Sequence, residues 1–240
     1  MAEPRAQLCG PEEIESAFEA GAPVRLILAR REPADPRAAA VVERARRAGI
    51  AVHEASDASL RRLSKTAPPA EVLALVGPDP GATAEEALAG TGAAWLLVNV
   101  AYPGNTGFAI RTAEVSGADC VFVDNAFDHE ARREATRAAM RADRYLPVFW
   151  RSAGDVLALA RAAGRRIYAL EDVGDAAPWD VDLTLPALFV VGGERHGIPD
   201  AVLAAADRIL RIPMRGFIPS YNLQAAMAGV ALERLRQLSL

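Results

Sequence analysis

Cysteine and lysine are the scarcest signals in this 240-residue chain. Two cysteines, Cys9 and Cys120, lie far apart, which excludes a disulfide framework and a cysteine-based metal cluster. Lys65 is the lone lysine among 27 basic residues, so positive charge is carried by arginine, the better fork for phosphate. Net charge is −4, which argues against a protein that coats nucleic acid through bulk charge. Long apolar runs are missing too: Ala187–Val191 falls far short of the roughly 20 residues a membrane helix needs. The polar, acidic start (MAEPRAQLCGPEE) has no apolar signal region and reads as cytosolic. What remains is 51% apolar and 24% charged, the balance of a globular chain with a real core.

Periodicity divides the chain. Helical patterns at 11–20 and 36–48, strands at 24–29, 50–53 and 72–76, and a capped helical turn at 57–63 form a small α/β unit with a mostly parallel sheet. Residues 1–78 are read as one domain, 79–92, rich in Gly, Pro, Ala and Thr, as a linker with a short helix at 85–89, and 93–240 as a second domain. Within the second domain strands are expected at 95–100, 120–123, 166–170, 188–191 and 208–212. Helices are expected at 107–116, 130–141, 200–206 and 222–238.

Three turns, each at the carboxyl end of a strand, carry the chemistry, because ligands of open α/β sheets sit there. The first is Tyr102-Pro103-Gly104-Asn105-Thr106-Gly107, leading to Arg111, which is read as lying opposite Phe108 on its helix. The second, Gly192-Gly193-Glu194-Arg195-His196-Gly197, fails the spacing of dinucleotide and phosphate loops. The third runs from Ile212-Pro213-Met214 to Ser220-Tyr221-Asn222, with Ser220 as the candidate cap of the last helix. His196 has no Cys or His partner nearby, so no metal site is expected. Arg132, Arg133, Arg137, Arg141, Arg144 and Arg151 form either a solvated helix with i,i+4 ion pairs or a phosphate-binding face.

At these turns the sequence resembles the SpoU/TrmH family of RNA ribose 2′-O-methyltransferases. Asn105, Gly107 and Arg111-Thr112-Ala113 match its first motif, Gly192, Glu194 and Gly197 its second, and Ile212-Pro213-Met214, Gly216, Ser220-Tyr221-Asn222 its third. The resemblance implies an α/β fold with a C-terminal trefoil-knotted SPOUT methyltransferase domain and a small N-terminal α/β RNA-binding domain. It implies S-adenosylmethionine as cofactor, structured RNA as substrate, and a homodimer with the site at the subunit interface. Catalytic roles are carried over to Asn105, Arg111, Glu194, Ser220 and Asn222, with Glu194 expected to pair an arginine. Cofactor binding is carried over to Gly192, Gly193, Ile212, Met214 and Tyr221. The chain departs from the pattern at Tyr221 (usually Leu), Gln224 (usually small) and Arg137-Ala138-Ala139-Met140-Arg141, where the pattern has a Ser and a Gly. Two rivals are a non-catalytic RNA-binding member of the fold and a nucleotide-binding oxidoreductase, the latter disfavoured for want of G-x-G-x-x-G.

Overall fold

The computed structural model describes residues 6–77, 79–218 and 220–239. These divide between Asp79 and Pro80 into two compact units.

The first unit runs β1 (Ala6–Cys9), α1 (Pro11–Glu19), β2 (Val24–Ala29), α2 (Pro36–Arg47), β3 (Ala51–Glu54), α3 (Asp57–Leu63) and β4 (Val72–Val76). Its sheet has the order β1-β4-β2-β3. Among the described residues only β2 and β3 pair in parallel in this sheet; β4 is antiparallel to both β1 and β2. The expectation of a mostly parallel sheet is therefore wrong for this unit. The physical reason is β4: it enters between β1 and β2 and runs antiparallel to both, a pairing set by tertiary contact, and β1, four residues with one buried side chain, gives no periodic signal that would reveal it. One core packs Ile14 and Val41, Val42 and Ala45 of the helices against Ile27, Val72 and Ala74 of the strands.

The second unit runs α4 (Ala84–Leu88), β5 (Ala93–Val98), α5 (Pro103–Val115), β6 (Cys120–Asp124), α6 (His129–Ala138), β7 (Val148–Trp150), α7 (Ala153–Ala162), β8 (Arg166–Leu170), β9 (Ala187–Gly192), α8 (Asp200–Leu203), β10 (Arg208–Leu210) and α9 (Leu223–Leu238). Inside the stretch read as a linker, α4 carries a capping box between Thr83 and Glu86 and buries Ala84, Ala87 and Leu88 in this unit's core.

All six strands are parallel, in the order β10-β8-β9-β5-β6-β7. The two-residue period of a strand sends alternate side chains to opposite faces. Trp95, Leu97, Val121, Val123, Phe189 and Val191 meet α5 and α9 on one face. Leu96, Val98, Phe122, Leu188 and Val190 meet α4 and α7 on the other. Burial on both faces is what makes these strands read as unbroken apolar runs. Among the described residues no helix is long and apolar enough to cross a membrane.

Strand order places the site. From β5 the chain moves outward through β6 and β7, then returns to lay β9 along the other side of β5. The order of winding reverses between β5 and β9, and a reversal of this kind opens a crevice at the strands' carboxyl ends.

Candidate active site

The turns after β5 and β9 close on one another at that crevice. Gly193 permits the approach: a Cβ there would lie 1.9 Å from the Asn99 carbonyl oxygen. Gly192 is equally tight, with a Cβ position 2.3 Å from the Gly197 carbonyl carbon. Asn99 itself turns the chain at φ 55°.

Glu194 ties the two turns together. One carboxylate oxygen accepts the Ala101 N–H at 2.9 Å and the other accepts the Asn105 side-chain amide. The third turn joins through Asn222, whose amide nitrogen is 3.5 Å from Asn105 Oδ1, a long contact. Gln224 Nε2 donates to Thr112 Oγ1 at 3.3 Å, holding the start of α9 against α5. Residues 89 and 117 positions apart in the chain thus share one junction.

Several expectations need correction. Helix α5 starts at Pro103, so Asn105 lies in its first turn and not in a preceding loop; proline at the first helical position has its missing N–H and fixed φ already suited to a helix start. Asn222, not Ser220, caps α9: its Oδ1 accepts the Gln224 N–H at 2.9 Å. Glu194 pairs no arginine among the described residues, because Ala101 and Asn105 take its carboxylate. Arg111 is not opposite Phe108. Residues three apart share a helix face, and both are exposed, in a stripe that continues to Val115. The Arg111 side chain forms no hydrogen bond or ion pair with other described residues.

Gly107 has a packing reason: its would-be Cβ falls 2.3 Å from the Ala135 carbonyl oxygen, so α6 rests directly on α5 there. The arginine stretch ends sooner than expected. Helix α6 stops at Ala138, and Met140 and Arg141 follow at φ 55° and 63°, the left-handed region that glycine enters without steric cost. Arg141 stands where the resembled motif has that glycine. The anticipated i,i+4 ion pairs do not form: Arg133, Arg137, Arg141 and Arg144 are exposed, without a salt bridge among the described residues, while Arg132 lies 4.5 Å over the Trp150 ring.

Beside the junction is a cavity of about 380 Å³ at the ends of β8, β9 and β10. Gly192, Gly193, Ile212, Met214 and Tyr221 all line it. So do Glu194, Ser220 and Asn222. The Tyr221 hydroxyl is 3.4 Å from the Pro213 carbonyl oxygen, drawing the two ends of the third turn together. Sequence reasoning missed Glu171, which also lines the cavity and accepts the Ile198 N–H at 3.1 Å. A lone acid at a strand end gave no motif. Among the described residues no group of three or more His, Cys, Asp or Glu is placed to hold a metal ion.

The SpoU rRNA Methylase family model matches residues 94–232, more than half the chain, and the protein belongs to that family. A second model, for RNA 2′-O ribose methyltransferase substrate binding, matches residues 7–80. The chain is similar to a Bacillus subtilis 23S rRNA guanosine 2′-O-methyltransferase, 26% identical over 75% of this chain and 71% of that one. It is also similar to an Escherichia coli tRNA guanosine 2′-O-methyltransferase, 31% identical over 56% of this chain and 59% of the relative's length. Among solved structures, an RNA 2′-O ribose methyltransferase aligns over 98% of this chain and 90% of its own, with TM-score 0.57 and 28% identity. The SpoU methyltransferase AviRb of Streptomyces viridochromogenes, in complex with AdoMet, aligns over 98% and 91%, with TM-score 0.60 and 24% identity.

Proposed function

We propose that this protein transfers a methyl group from S-adenosylmethionine to a ribose 2′-hydroxyl of structured RNA, ribosomal RNA before transfer RNA. One observation carries the reading: Glu194 fastens the first and second turns into a junction whose neighbouring cavity is walled by the third.

The cavity fits the cofactor. Its volume is in the range of small-ligand sites. Leu170, Ile212, Met214, Leu223 and Ala226 offer apolar walls to a flat adenine, and Gly192 and Gly193 bring backbone close where side chains cannot stand. Three carboxylates, Glu171, Asp172 and Glu194, against two guanidiniums, Arg195 and Arg211, leave the lining with a negative balance, the sign that suits a sulfonium and an ammonium. Bound there, S-adenosylmethionine supplies a methyl group on a sulfonium, ready for in-line displacement.

The chain's own residues then have two tasks. Asn105, Glu194 and Asn222 hold the junction where the acceptor ribose would lie, with Ser220 lining the cavity beside it, since orientation alone removes much of a two-body barrier. Arg111 stabilises negative charge developing on the 2′-oxygen as its proton passes to solvent water. A guanidinium, protonated below about pH 12, is suited to donate hydrogen bonds and not to abstract a proton. Arg111→Ala is expected to lower kcat by about 10²–10³-fold while S-adenosylmethionine affinity by calorimetry stays within about threefold. Arg111→Lys should recover only part, because a point charge replaces a planar fork. A pH–rate profile fitting one low-pKa group that vanishes in Arg111→Lys would instead make this arginine the base.

The domain at residues 1–78 serves as an RNA-binding domain, as its match to a substrate-binding family supports. The exposed arginines from Arg133 to Arg144 offer a second phosphate-binding face. RNA of this kind places the protein in the cytoplasm. The working form is a homodimer with the family's trefoil knot. Phe108 and Val115 on α5, Leu232 on α9, and Phe217 and Ile218 of the third turn are large apolar side chains left exposed. Arg111 lies in the α5 stripe, so a second copy on this face would bring its guanidinium to the interface. Sedimentation at micromolar concentration is expected to give a dimer that Leu232→Asp and Val115→Asp convert to monomer; a wild-type monomer would remove the dimer from this account.

A further inference from the structure

Tyr102 occupies a position that a polar side chain normally fills. It is the N-cap of α5, is 51% exposed, and accepts no cap hydrogen bond with its side chain. Elsewhere in the fold Asp35, Ser56, Thr83, Asp128, Ser152 and Asn222 all accept a backbone N–H at this position. Gly10 of α1 and Pro199 of α8 also give no side-chain cap, but of the three uncapped helix starts only Tyr102 puts an aromatic ring in that place, and the ring faces solvent.

The ring has a companion. The Arg195 guanidinium carbon lies 5.8 Å from the Tyr102 ring centroid, and Arg195 also lines the cavity. Neither side chain is committed elsewhere: Tyr102 has no side-chain hydrogen bond and Arg195 no ion pair among the described residues. The backbone beneath them is fixed. The Tyr102 carbonyl accepts the N–H groups of Asn105 and Thr106 at 3.1 and 3.2 Å, and Glu194 holds the Ala101 N–H at 2.9 Å. An exposed ring and an exposed guanidinium therefore stand together on hydrogen-bonded backbone, with Arg195 at the cavity and Tyr102 at the start of the helix that carries Asn105.

Aromatic rings and guanidinium planes are the surfaces on which unpaired nucleobases stack. We infer that Tyr102 and Arg195 form a stacking platform for the base of the nucleotide whose ribose is methylated. The inference rests on the methyltransferase reading and deepens it. Every base has a π-face, so stacking selects an unpaired, splayed-out nucleotide over a paired one without dictating base identity.

The test uses the full-length protein, labelled S-adenosylmethionine, and ribosomal RNA from a strain with the gene deleted. Tyr102→Ser removes the ring, adds no charge and supplies a good N-cap, so its melting temperature should equal or exceed that of the wild type. Its KM for RNA is expected to rise about tenfold. S-adenosylmethionine affinity should be unchanged, and Tyr102→Phe should stay within about twofold of wild type in every constant. Arg195→Ala, on an exposed turn away from the helix cap, should raise the same KM and gives the readout if Tyr102→Ser misfolds. A KM for RNA within twofold of wild type in folded Tyr102→Ser or Arg195→Ala, with the wild type active, overturns the platform alone. No methyl transfer to RNA by the wild type overturns the methyltransferase reading and the platform with it.

Discussion

Asp119→Ala is expected to cost about 3–5 kcal/mol of folding stability, a large part of the 5–15 kcal/mol that such domains possess. The carboxylate is buried at the amino-terminal end of the parallel sheet, against Arg165, whose side chain has no exposure. The guanidinium also donates to the carbonyl oxygens of Leu88, Gly90 and Gly92 at 2.8–2.9 Å and of Ala187 at 3.1 Å. Asp119 in turn accepts the Gly92 N–H at 2.9 Å. Its oxygens lie 2.8 Å and 2.5 Å from where a Cβ would stand on Gly90 and Gly92, so the turn before β5 is moulded around this carboxylate. A second buried guanidinium, Arg234 of α9, has its pKa lowered by burial, which outweighs the opposing charge of Asp119. Removing the carboxylate takes from Arg165 its ion-pair partner and from Arg234 a favourable charge, and an unpaired buried charge is far costlier than a lost contact. Urea denaturation of Asp119→Ala, beside Asp119→Asn, measures the effect. A loss below about 1 kcal/mol would show that the carbonyl oxygens alone hold Arg165.

The second large effect belongs to Gly193→Ala. The added methyl would meet the Asn99 carbonyl oxygen at 1.9 Å, the Asn99 carbonyl carbon at 2.4 Å and Val100 Cα at 2.8 Å. All three are backbone atoms, so no side chain can swing aside, and the turns after β5 and β9 must separate. Glu194, the next residue, then leaves Ala101 and Asn105, and the cavity wall moves with it. Calorimetry is expected to show S-adenosylmethionine affinity at least about 100-fold weaker, the loss that about 3 kcal/mol of misplacement produces. Gly216→Ala, which adds a methyl group where nothing lies within 4 Å, should bind like the wild type. Equal affinity in Gly193→Ala would mean that contact between these turns is not needed for the cavity.

The parallel sheet of the second unit is legible because both its faces are covered, which makes Trp95–Val98, Cys120–Val123 and Leu188–Val191 continuous apolar runs. Elements that draw on tertiary pairing are not. Strand β7 has three half-buried residues beside β6, and β1 gains its place only from β4. Helix α7 buries Val156, Leu157 and Ala160, but alanine-rich stretches blur the contrast between faces on which periodicity depends.

The site is legible as three turns and opaque as one junction. Asn105, Glu194 and Asn222 stand out because Gly, Pro and Asn mark strand ends. Nothing local says that β9 returns beside β5, the fact that brings Glu194 to Asn105. The Tyr102–Arg195 pair is invisible in the sequence for the same reason. The shared face of Phe108 and Arg111 is legible in the sequence, since three residues are almost one helical turn.

The central claim is that one pocket presents a sulfonium methyl to a sugar oxygen. Incubating the wild-type protein with methyl-labelled S-adenosylmethionine and ribosomal RNA lacking the modification, then mapping the label, tests it most directly. Label on a ribose 2′-oxygen at a defined nucleotide, lost in Arg111→Ala, is the predicted result. Label on a base, or RNA binding without any transfer of label, would contradict it.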